Sequence, residues 1–289
     1  MNQPKALPAA APDTVNRFIA VVLEDLKSKT LKLPTLPEVA TKVRQAVEDE
    51  NTSTAQVARM IAMDVALSAR LIQVANSALY RGRTYIDSVQ LAVTRLGNKT
   101  VRDLVTSLIM QQIFQAKTPR LRKRLQTLWL HGTNVAAISG MLARRYTSLS
   151  ADEALLAGLL HDIGALPLLV RVEDFPELAN DEQAIDQVIE NMHTSIGKLI
   201  LETWQFPAEL IAVAAEHEDL GRYSATVDYV DVVMVANLLS YAGTGHRHAQ
   251  VDWGGVPAFG KIGITPEESL ALLEETKTDL ADLKKLLGG

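Results

Sequence analysis

The spacing of apolar residues predicts helices along nearly the whole chain. Apolar side chains recur every three or four positions, as Phe18, Val21 and Val22 do, and this is the period of an amphipathic helix. Pro34 and Pro37 interrupt the pattern, because a residue that precedes a proline is disfavoured in helical geometry. No segment shows the sustained alternation that is typical of a half-buried strand. The sequence therefore predicts an all-α fold.

Capping residues and helix breakers predict where these helices begin and end. In the N-terminal part the predicted helices cover residues 15–27, 37–47, 54–63, 64–76, 88–96 and 98–116. Thr118-Pro119 begins a second half, with helices near 119–146, 151–169, 181–204, 207–217 and 227–242. Residues 243–263 are rich in glycine and predict a loop, after which Thr265 caps one terminal helix that ends at Gly288.

These elements predict a disordered tail, one large helical domain and a C-terminal extension. The tail covers residues 1–14, the domain covers 15–242, and a loop and helix cover 243–289. The seam at Thr118 divides the domain into an N-terminal half, 15–117, and a second half, 118–242. A chain of 289 residues has ample material for one such core.

The composition is that of a globular protein and limits the kinds of metal site and cross-link that the chain can form. Apolar residues make up 47% and charged residues 22%, as is ordinary for a soluble globular protein. The chain has no cysteine, so disulfides and thiolate metal sites are excluded, and any metal needs nitrogen and oxygen ligands. No apolar run is expected to reach the roughly 20 residues that span a bilayer. Met1 to Asp13 is rich in Ala and Pro and lacks the order of a signal peptide, so we expect a cytoplasmic protein with no membrane partner.

Charge is unevenly spread along the chain. The net charge of −5 argues against a dedicated nucleic-acid binder, yet residues 81–124 hold ten basic and two acidic residues, a charge of +8 that leaves −13 elsewhere. Solvated helix faces are the favoured interpretation. The alternative is a docking patch for an anionic partner, formed by Arg81, Arg83, Lys99, Arg102, Arg120, Arg122, Lys123 and Arg124.

Four of the six histidines lie on the apolar stripes of separate predicted helices: His131, His161, His193 and His217. Burying such a ring without a partner costs about 1–3 kcal/mol, so each ring needs one. Either each is hydrogen-bonded to a core carbonyl, or the four share a site. Asp162 directly follows His161, and imidazole and carboxylate together bind divalent metal ions, so the second interpretation is a metal centre.

The residues His161-Asp162-Ile163-Gly164 resemble the motif of the HD superfamily of metal-dependent phosphohydrolases. Further segments resemble the HDOD family: Leu33-Pro34-x-Leu36-Pro37, Ala75-Asn76-Ser77, Leu96-Gly97, His193-Thr194-x-x-Gly197, Trp204-x-x-Pro207 and Glu216-His217. The resemblance implies an HD-domain-like helical bundle with an N-terminal helical layer, residues 15–242 being the HDOD domain, in a bacterial protein. It also implies a divalent metal (Fe, Mn, Mg or Ni) held by His131, His161, Asp162, His193 and His217, with Asp162 catalytic if the site is active.

Three departures from the pattern of catalytic relatives imply a weakened site. Ala165 stands where those relatives have a lysine, Asn237 where they have a final aspartate, and Glu216-His217 where they have paired histidines; no GYP segment follows. The favoured function is therefore a non-catalytic signal-transduction module with a degenerate metal site. Its expected partners are other signalling proteins or a small nucleotide ligand. The alternatives are a metal-dependent phosphohydrolase acting on a nucleotide or phosphoester, and nucleic-acid binding through the basic stretch.

Overall fold

The computed structural model describes residues 12–77, 79–80, 82 and 84–288. Across these residues the regular structure is helical and no strand is present, which confirms the all-α prediction. The N-terminal layer contains six helices: α1 Pro12–Lys27, α2 Glu38–Glu48, α3 Thr54–Ala62, α4 Val65–Ala75, α5 Val89–Leu96 and α6 Asn98–Ile109.

The second half holds the longest helices. They are α7 Pro119–Tyr146, α8 Ala151–Leu160, α9 Ala165–Val172, α10 Pro176–Ala179, α11 Glu182–Thr203, α12 Ala208–Glu216 and α13 Tyr229–Ser240. Three C-terminal helices follow: α14 Pro257–Ile262, α15 Pro266–Glu275 and α16 Lys277–Leu287. Short 3-10 turns lie at Met110–Ile113, Arg247–Gln250 and Trp253–Gly255.

Local capping explains several helix starts. The Thr118 hydroxyl accepts a hydrogen bond from the Leu121 backbone N–H (3.2 Å), and Pro119 occupies the first turn of α7. Thr265 and Glu268 form a reciprocal capping box at the start of α15. Both helices begin where they were predicted to begin, because each capping residue lies within four residues of the groups that it caps.

Several predicted boundaries are wrong. The helix predicted over 98–116 ends at Ile109 and passes into a 3-10 turn, and the helix predicted over 151–169 is divided into α8 and α9 by the turn 161–164. The single C-terminal helix is divided at Thr276, whose hydroxyl donates to the Leu272 carbonyl (2.7 Å). The predicted loop 243–263 contains α14, and α10 was not predicted. The predicted tail is too long, since α1 begins at Pro12; residues 1–11 lie outside the described residues.

Close packing of α7 and α8 brings His131, on α7, close to His161, which follows α8. Gly158 on α8 faces α7 so closely that a Cβ there would lie 2.7 Å from Ser139 Oγ and 2.9 Å from Ala136 Cα. Only glycine allows this approach. On its other side α8 contacts the N-terminal layer, where Tyr80 and Thr100 both donate hydrogen bonds to the carboxylate of Asp152. Helix α8 therefore links the N-terminal layer to the turn that follows it.

One apolar stretch is longer than the sequence analysis expected. Residues Ala151–Val172 are long and apolar enough to span a bilayer by length and composition. However, 83% of the most apolar window is buried inside the bundle, and the turn 161–164 interrupts it. The stretch is thus the central core segment of the helical bundle.

Candidate metal centre

Four imidazole rings surround the carboxylate of Asp162. Its Oδ2 lies 3.6 Å from His131 Nε2 and 3.3 Å from His161 Nε2. Its Oδ1 lies 3.4 Å from His193 Nε2 and 3.3 Å from His217 Nε2. The rings come from α7, the turn after α8, α11 and the end of α12. The structure thus brings all five residues of the predicted metal set together, with one pair of rings at each carboxylate oxygen.

Backbone carbonyls determine the tautomers of three of these rings. The Nδ1 atoms of His161, His193 and His217 lie 2.7, 2.7 and 2.9 Å from carbonyl oxygens of the preceding helical turn. A carbonyl oxygen can only accept, so each Nδ1 carries the ring proton. In a neutral ring Nε2 then presents a lone pair to the site, which is the usual arrangement of a metal-binding histidine.

This arrangement leaves acceptor atoms facing one another. The Nε2 atoms of His193 and His217 are 3.2 Å apart, and both face the ionised oxygen of Asp162. The Nε2 atoms of His131 and His161 are also 3.2 Å apart. In the pair His193–His217 neither nitrogen has a proton to donate, so their lone pairs repel unless a cation lies between them. The donor set therefore fits a divalent metal ion.

Two groups with metal-ligand spacing share Asp162. One consists of His131, His161 and Asp162, and the other consists of Asp162, His193 and His217. Within each group the ligand atoms lie within 4.8 Å of one another. A carboxylate common to two such groups can bridge two ions.

The electrostatics favour the protonation states that metal binding needs. Burial, together with the neighbouring His161, lowers the pKa of His131 to about 4, so this ring is neutral at pH 7. Burial would raise the pKa of Asp162, but positive charge facing its oxygens, placed at the ring of His161 first, outweighs burial and holds that pKa well below its usual range, as a bound metal ion in the same position would. Neutral imidazoles and an ionised carboxylate are the forms that coordinate metals.

The site lies at the base of a cavity of about 600 Å³ that is open to solvent. His131, Asp162 and His193 line its floor, and the Asp162 side chain is 20% exposed. Such a volume suits a nucleotide-sized ligand. The cavity walls also include acidic residues, Glu182, Asp186, Glu190 and Glu218.

The structure divides the predicted basic patch. Arg120, Lys123 and Arg124, from the first turns of α7, line the cavity, whereas Arg122 is exposed elsewhere on that helix. Lys99 and Arg102 lie on α6 and pair with carboxylates at the layer boundary, Lys99 with Glu153 (3.2 Å) and Arg102 with Asp103 (2.7 Å). Arg81 and Arg83 lie outside the described residues. The six members of the predicted patch that the structure describes therefore do not form one surface.

The sequence analysis missed Glu218, which lies beside the second metal-ligand group. Its Oε1 is 3.7 Å from His217 Nε2, and its Oε2 accepts a hydrogen bond from Arg247 (2.8 Å) and lies 3.2 Å from His248 Nε2. Burial would raise the pKa of Glu218, but the neighbouring histidines, His248 first, lower it to about 2. A signal was available, since Glu218 follows His217 as Asp162 follows His161.

Tyr241 was also missed. Its ring stacks on His131 with ring centroids 4.9 Å apart and on His246 with centroids 3.6 Å apart. The segment 246–248, predicted as part of a glycine-rich loop, is thereby held against the cavity. Of the departures noted in the sequence, Ala165 lines the cavity and Asn237 is buried next to Glu218, with Nδ2 3.5 Å from Oε1.

The family model for the HDOD domain matches residues 33–220. The chain therefore belongs to the HDOD domain family. Among curated proteins, it is 25% identical to an uncharacterized protein of Treponema pallidum over 232 residues, which cover 72% of this chain and 44% of that protein. It is 30% identical to Ribonuclease Y of Fervidobacterium nodosum over 127 residues, covering 44% and 20% respectively. The chain spans less than half the length of these relatives.

Solved structures share the whole fold. A metal-dependent phosphohydrolase candidate from Shewanella amazonensis is 29% identical, with a TM-score of 0.81 over 95% of this chain and 99% of that one. An HDOD domain protein of unknown function from Geobacter sulfurreducens is 20% identical, with a TM-score of 0.65 over 94% and 98%. These similarities confirm the HD-domain-like bundle that the sequence predicted.

Proposed function

We propose that this chain is a signal-transduction module that binds a small phosphorylated ligand at a divalent metal centre and does not hydrolyse it efficiently. The observation that carries the proposal is the convergence of four imidazole rings on Asp162, with His131, Asp162 and His193 of this set lining an open cavity. A site used only for core packing would be closed to solvent. The family membership supports a role in signalling, and we propose a cytoplasmic location for it.

The metal would be held by the two groups that share Asp162. Mixed imidazole and carboxylate ligands suit Fe²⁺, Mn²⁺, Ni²⁺ or Mg²⁺, and the chain has no cysteine thiolate that would favour a softer metal. When bound, such ions supply positive charge for phosphate oxygens and acidify coordinated water. The chain's own residues orient the ligand: Arg120 and Lys123, at the cavity edge, attract an anionic group at its far end.

Weak hydrolysis follows from where the cations lie. Ala165 places a methyl group on the cavity wall where a basic side chain would stabilise transition-state charge. Arg124 lies two helical turns before His131 on α7, which separates them by about 10 Å along the helix axis at 1.5 Å per residue. Its guanidinium group already pairs with Glu182 and Asp186. These cations therefore contribute to ligand binding more than to bond cleavage.

Helix α8 provides a physical connection from the site to a protein partner. It ends at the His161-Asp162 turn, and Asp152 near its start is hydrogen-bonded to Tyr80 and Thr100 of the N-terminal layer. We propose that signalling partners bind this N-terminal layer. A ligand that moves Asp162 would shift α8 and thereby the contacts of the layer.

A second candidate function is a metal-dependent phosphohydrolase that acts on a nucleotide or phosphoester. It is favoured by the 29% identity to the Shewanella amazonensis phosphohydrolase candidate and by the solvent access of Asp162. In that case Asp162 would orient the attacking water as well as hold the metal. Both candidates need the same metal centre and differ in turnover.

One set of assays separates the two functions. The purified protein is loaded with Mn²⁺ and tested against nucleotides, cyclic dinucleotides and simple phosphoesters, with binding measured by calorimetry and turnover by phosphate or product release. We expect ligand binding that requires Mn²⁺ and is lost in Asp162→Asn, without turnover. Metal-dependent turnover that Asp162→Ala abolishes would refute the proposal and establish the phosphohydrolase.

A further inference from the structure

The second metal-ligand group has a neutral side chain at its edge. His193 and His217 supply two nitrogens, and Asp162, which is shared, supplies one oxygen. Asn237 on α13 lies close by and is 3% exposed, but its amide carries no charge. Nδ2 points to Glu218 Oε1 (3.5 Å), and Oδ1 has no hydrogen-bond partner among the residues that the structure describes.

Glu218 offers the charge that the amide lacks. Its Oε1 is 3.7 Å from His217 Nε2, almost the same separation as the 3.6 Å between Asp162 Oδ2 and His131 Nε2 in the first group. Glu218 also lines the cavity, and its side chain is 23% exposed. It is not among the residues whose ligand atoms lie within 4.8 Å of one another, so Oε1 would move toward the ion when the ion binds. A carboxylate at this position is a hard oxygen ligand of the kind that Mn²⁺ and Fe²⁺ accept.

The other oxygen of Glu218 is held in place. Arg247 donates to Oε2 over 2.8 Å, and His248 Nε2 lies 3.2 Å from the same atom. Because both contacts involve Oε2, Oε1 remains directed toward His217 and Asn237. His248 is 5% exposed, so the segment 246–248 is packed rather than loosely placed over Glu218. This is the outer-shell support that orients a ligating carboxylate.

We propose that Glu218 is a ligand of the metal ion held by Asp162, His193 and His217, and that it replaces the carboxylate which Asn237 does not provide. The inference rests on the metal centre of the proposed function and deepens it. The second ion then has two anionic oxygens and two imidazoles. Arg247 and His248 act as positioning residues, so the segment that borders the cavity is tied to the metal.

Metal stoichiometry tests the proposal without any activity assay. Metal-free protein is titrated with Mn²⁺, free Mn²⁺ is counted by electron paramagnetic resonance, and bound metal is checked by elemental analysis. We expect two ions in the wild type and at least a tenfold weaker second ion in Glu218→Gln. The matched control is Glu216→Gln, because Glu216 lies two residues earlier and pairs with Arg222 at the surface; it should bind two ions as the wild type does.

A second variant asks whether charge is the cause. Adding Asn237→Asp to Glu218→Gln returns a carboxylate to the neighbouring side chain, whose Nδ2 lies 3.5 Å from Glu218 Oε1, and should restore the second ion. Should Glu218→Gln fail to fold, Arg247→Ala serves instead, because Arg247 is 50% exposed and its ion pairs are with Glu218 Oε2 (2.8 Å) and with Glu190 (3.4 Å), neither of which is part of the second metal-ligand group. This variant should weaken the second ion several-fold.

The outcomes distinguish this inference from the function on which it rests. Two ions bound with unchanged affinity in folded Glu218→Gln, or in Arg247→Ala if that variant is used, would overturn the role of Glu218 and leave the metal centre standing. A wild-type protein that binds no Mn²⁺ would instead overturn the proposed function itself.

Discussion

Substituting Gly164 by alanine tests how tightly the metal-bearing turn is packed. Gly164 has an ordinary φ of −67°, so its backbone conformation does not require glycine. The requirement is space: a Cβ would lie 1.9 Å from the His193 carbonyl oxygen and 2.5 Å from the Gly197 nitrogen, where ordinary contact begins at 3.4 Å. Helix α11 would therefore have to retreat by about 1.5 Å, a displacement that the rigid backbone cannot absorb locally.

Both stability and metal binding should suffer. Overpacking of this kind costs typically 1–3 kcal/mol, and for backbone atoms we expect the upper end, about 3 kcal/mol. At about 2–4 °C per kcal/mol, the melting temperature should fall by roughly 6–12 °C. Metal–ligand distances in a competent site match their ideal values to within about 0.2 Å, so moving His193 with α11 should weaken or remove the second ion.

The assay compares melting curves and Mn²⁺ content of Gly164→Ala with those of the wild type. Gly260→Ala on α14 is the matched control, because a Cβ there meets no atom within 4 Å and the helix tolerates alanine. The control should keep the wild-type metal content, and its melting temperature should stay at or slightly above that of the wild type, because alanine favours a helix more than glycine does. If Gly164→Ala also kept both, the packing argument for this turn would be refuted.

Three further predictions concern protonation, the shared ligand and the N-terminal layer. Burial lowers the folded-state pKa of His131 to about 4 from 6.5, so the stability that is present above pH 6.5 is lost as the pH falls toward 4. The metal-free protein should therefore lose about 2 kcal/mol of unfolding free energy between pH 7 and pH 5. Denaturant titrations should show a smaller loss in His131→Gln. Asp162→Asn should remove both ions in elemental analysis, since its two oxygens face both groups, and retention of either ion would contradict the shared role. Asn76→Ala should lower the unfolding free energy by about 2–3 kcal/mol, because the Asn76 side-chain amide accepts a hydrogen bond from the backbone N–H of Ile86 (2.9 Å) and donates one to its carbonyl oxygen (2.7 Å). Asn51 is exposed, so Asn51→Ala should change the unfolding free energy by less than about 0.5 kcal/mol. Similar losses in both variants would count against the prediction.

Helix starts could be predicted from the sequence where the signal is local. Thr118-Pro119 and Thr265-Pro266 carry their caps within one turn, and both helices begin there in the structure. The break after α8 could not be predicted in this way. Residues 161–164 turn because α11 packs directly on Gly164, and this contact joins residues about 30 positions apart in the chain.

The candidate site could be predicted only in part, because it too depends on contacts between residues that are far apart in the sequence. Helical spacing indicated that His131, His161, His193 and His217 face the interior, but spacing cannot say which helices meet. The family resemblance supplied that step, and the structure shows the rings around Asp162. Glu218 follows His217 directly and could have been proposed on that ground, but its contacts with Arg247 and His248 come from beyond α13 and could not be predicted from the sequence.

The basic stretch shows a further limit of sequence patterns, since solvated helix faces were favoured over one docking patch but the positions of the cations depend on the fold. Lys99 and Arg102 begin α6 and are engaged by Glu153 and Asp103 at the boundary between the layers. Arg120 and Lys123 begin α7 and border the cavity instead. Tertiary pairing therefore divides a run of charge that composition alone presents as one surface.

Anomalous diffraction from crystals grown with Mn²⁺ tests the central claim most directly. We expect two peaks at the cavity floor, one among His131, His161 and Asp162 and the other among Asp162, His193 and His217. Well-ordered crystals with the four rings in place but without a Mn²⁺ peak at either group would contradict the metal centre.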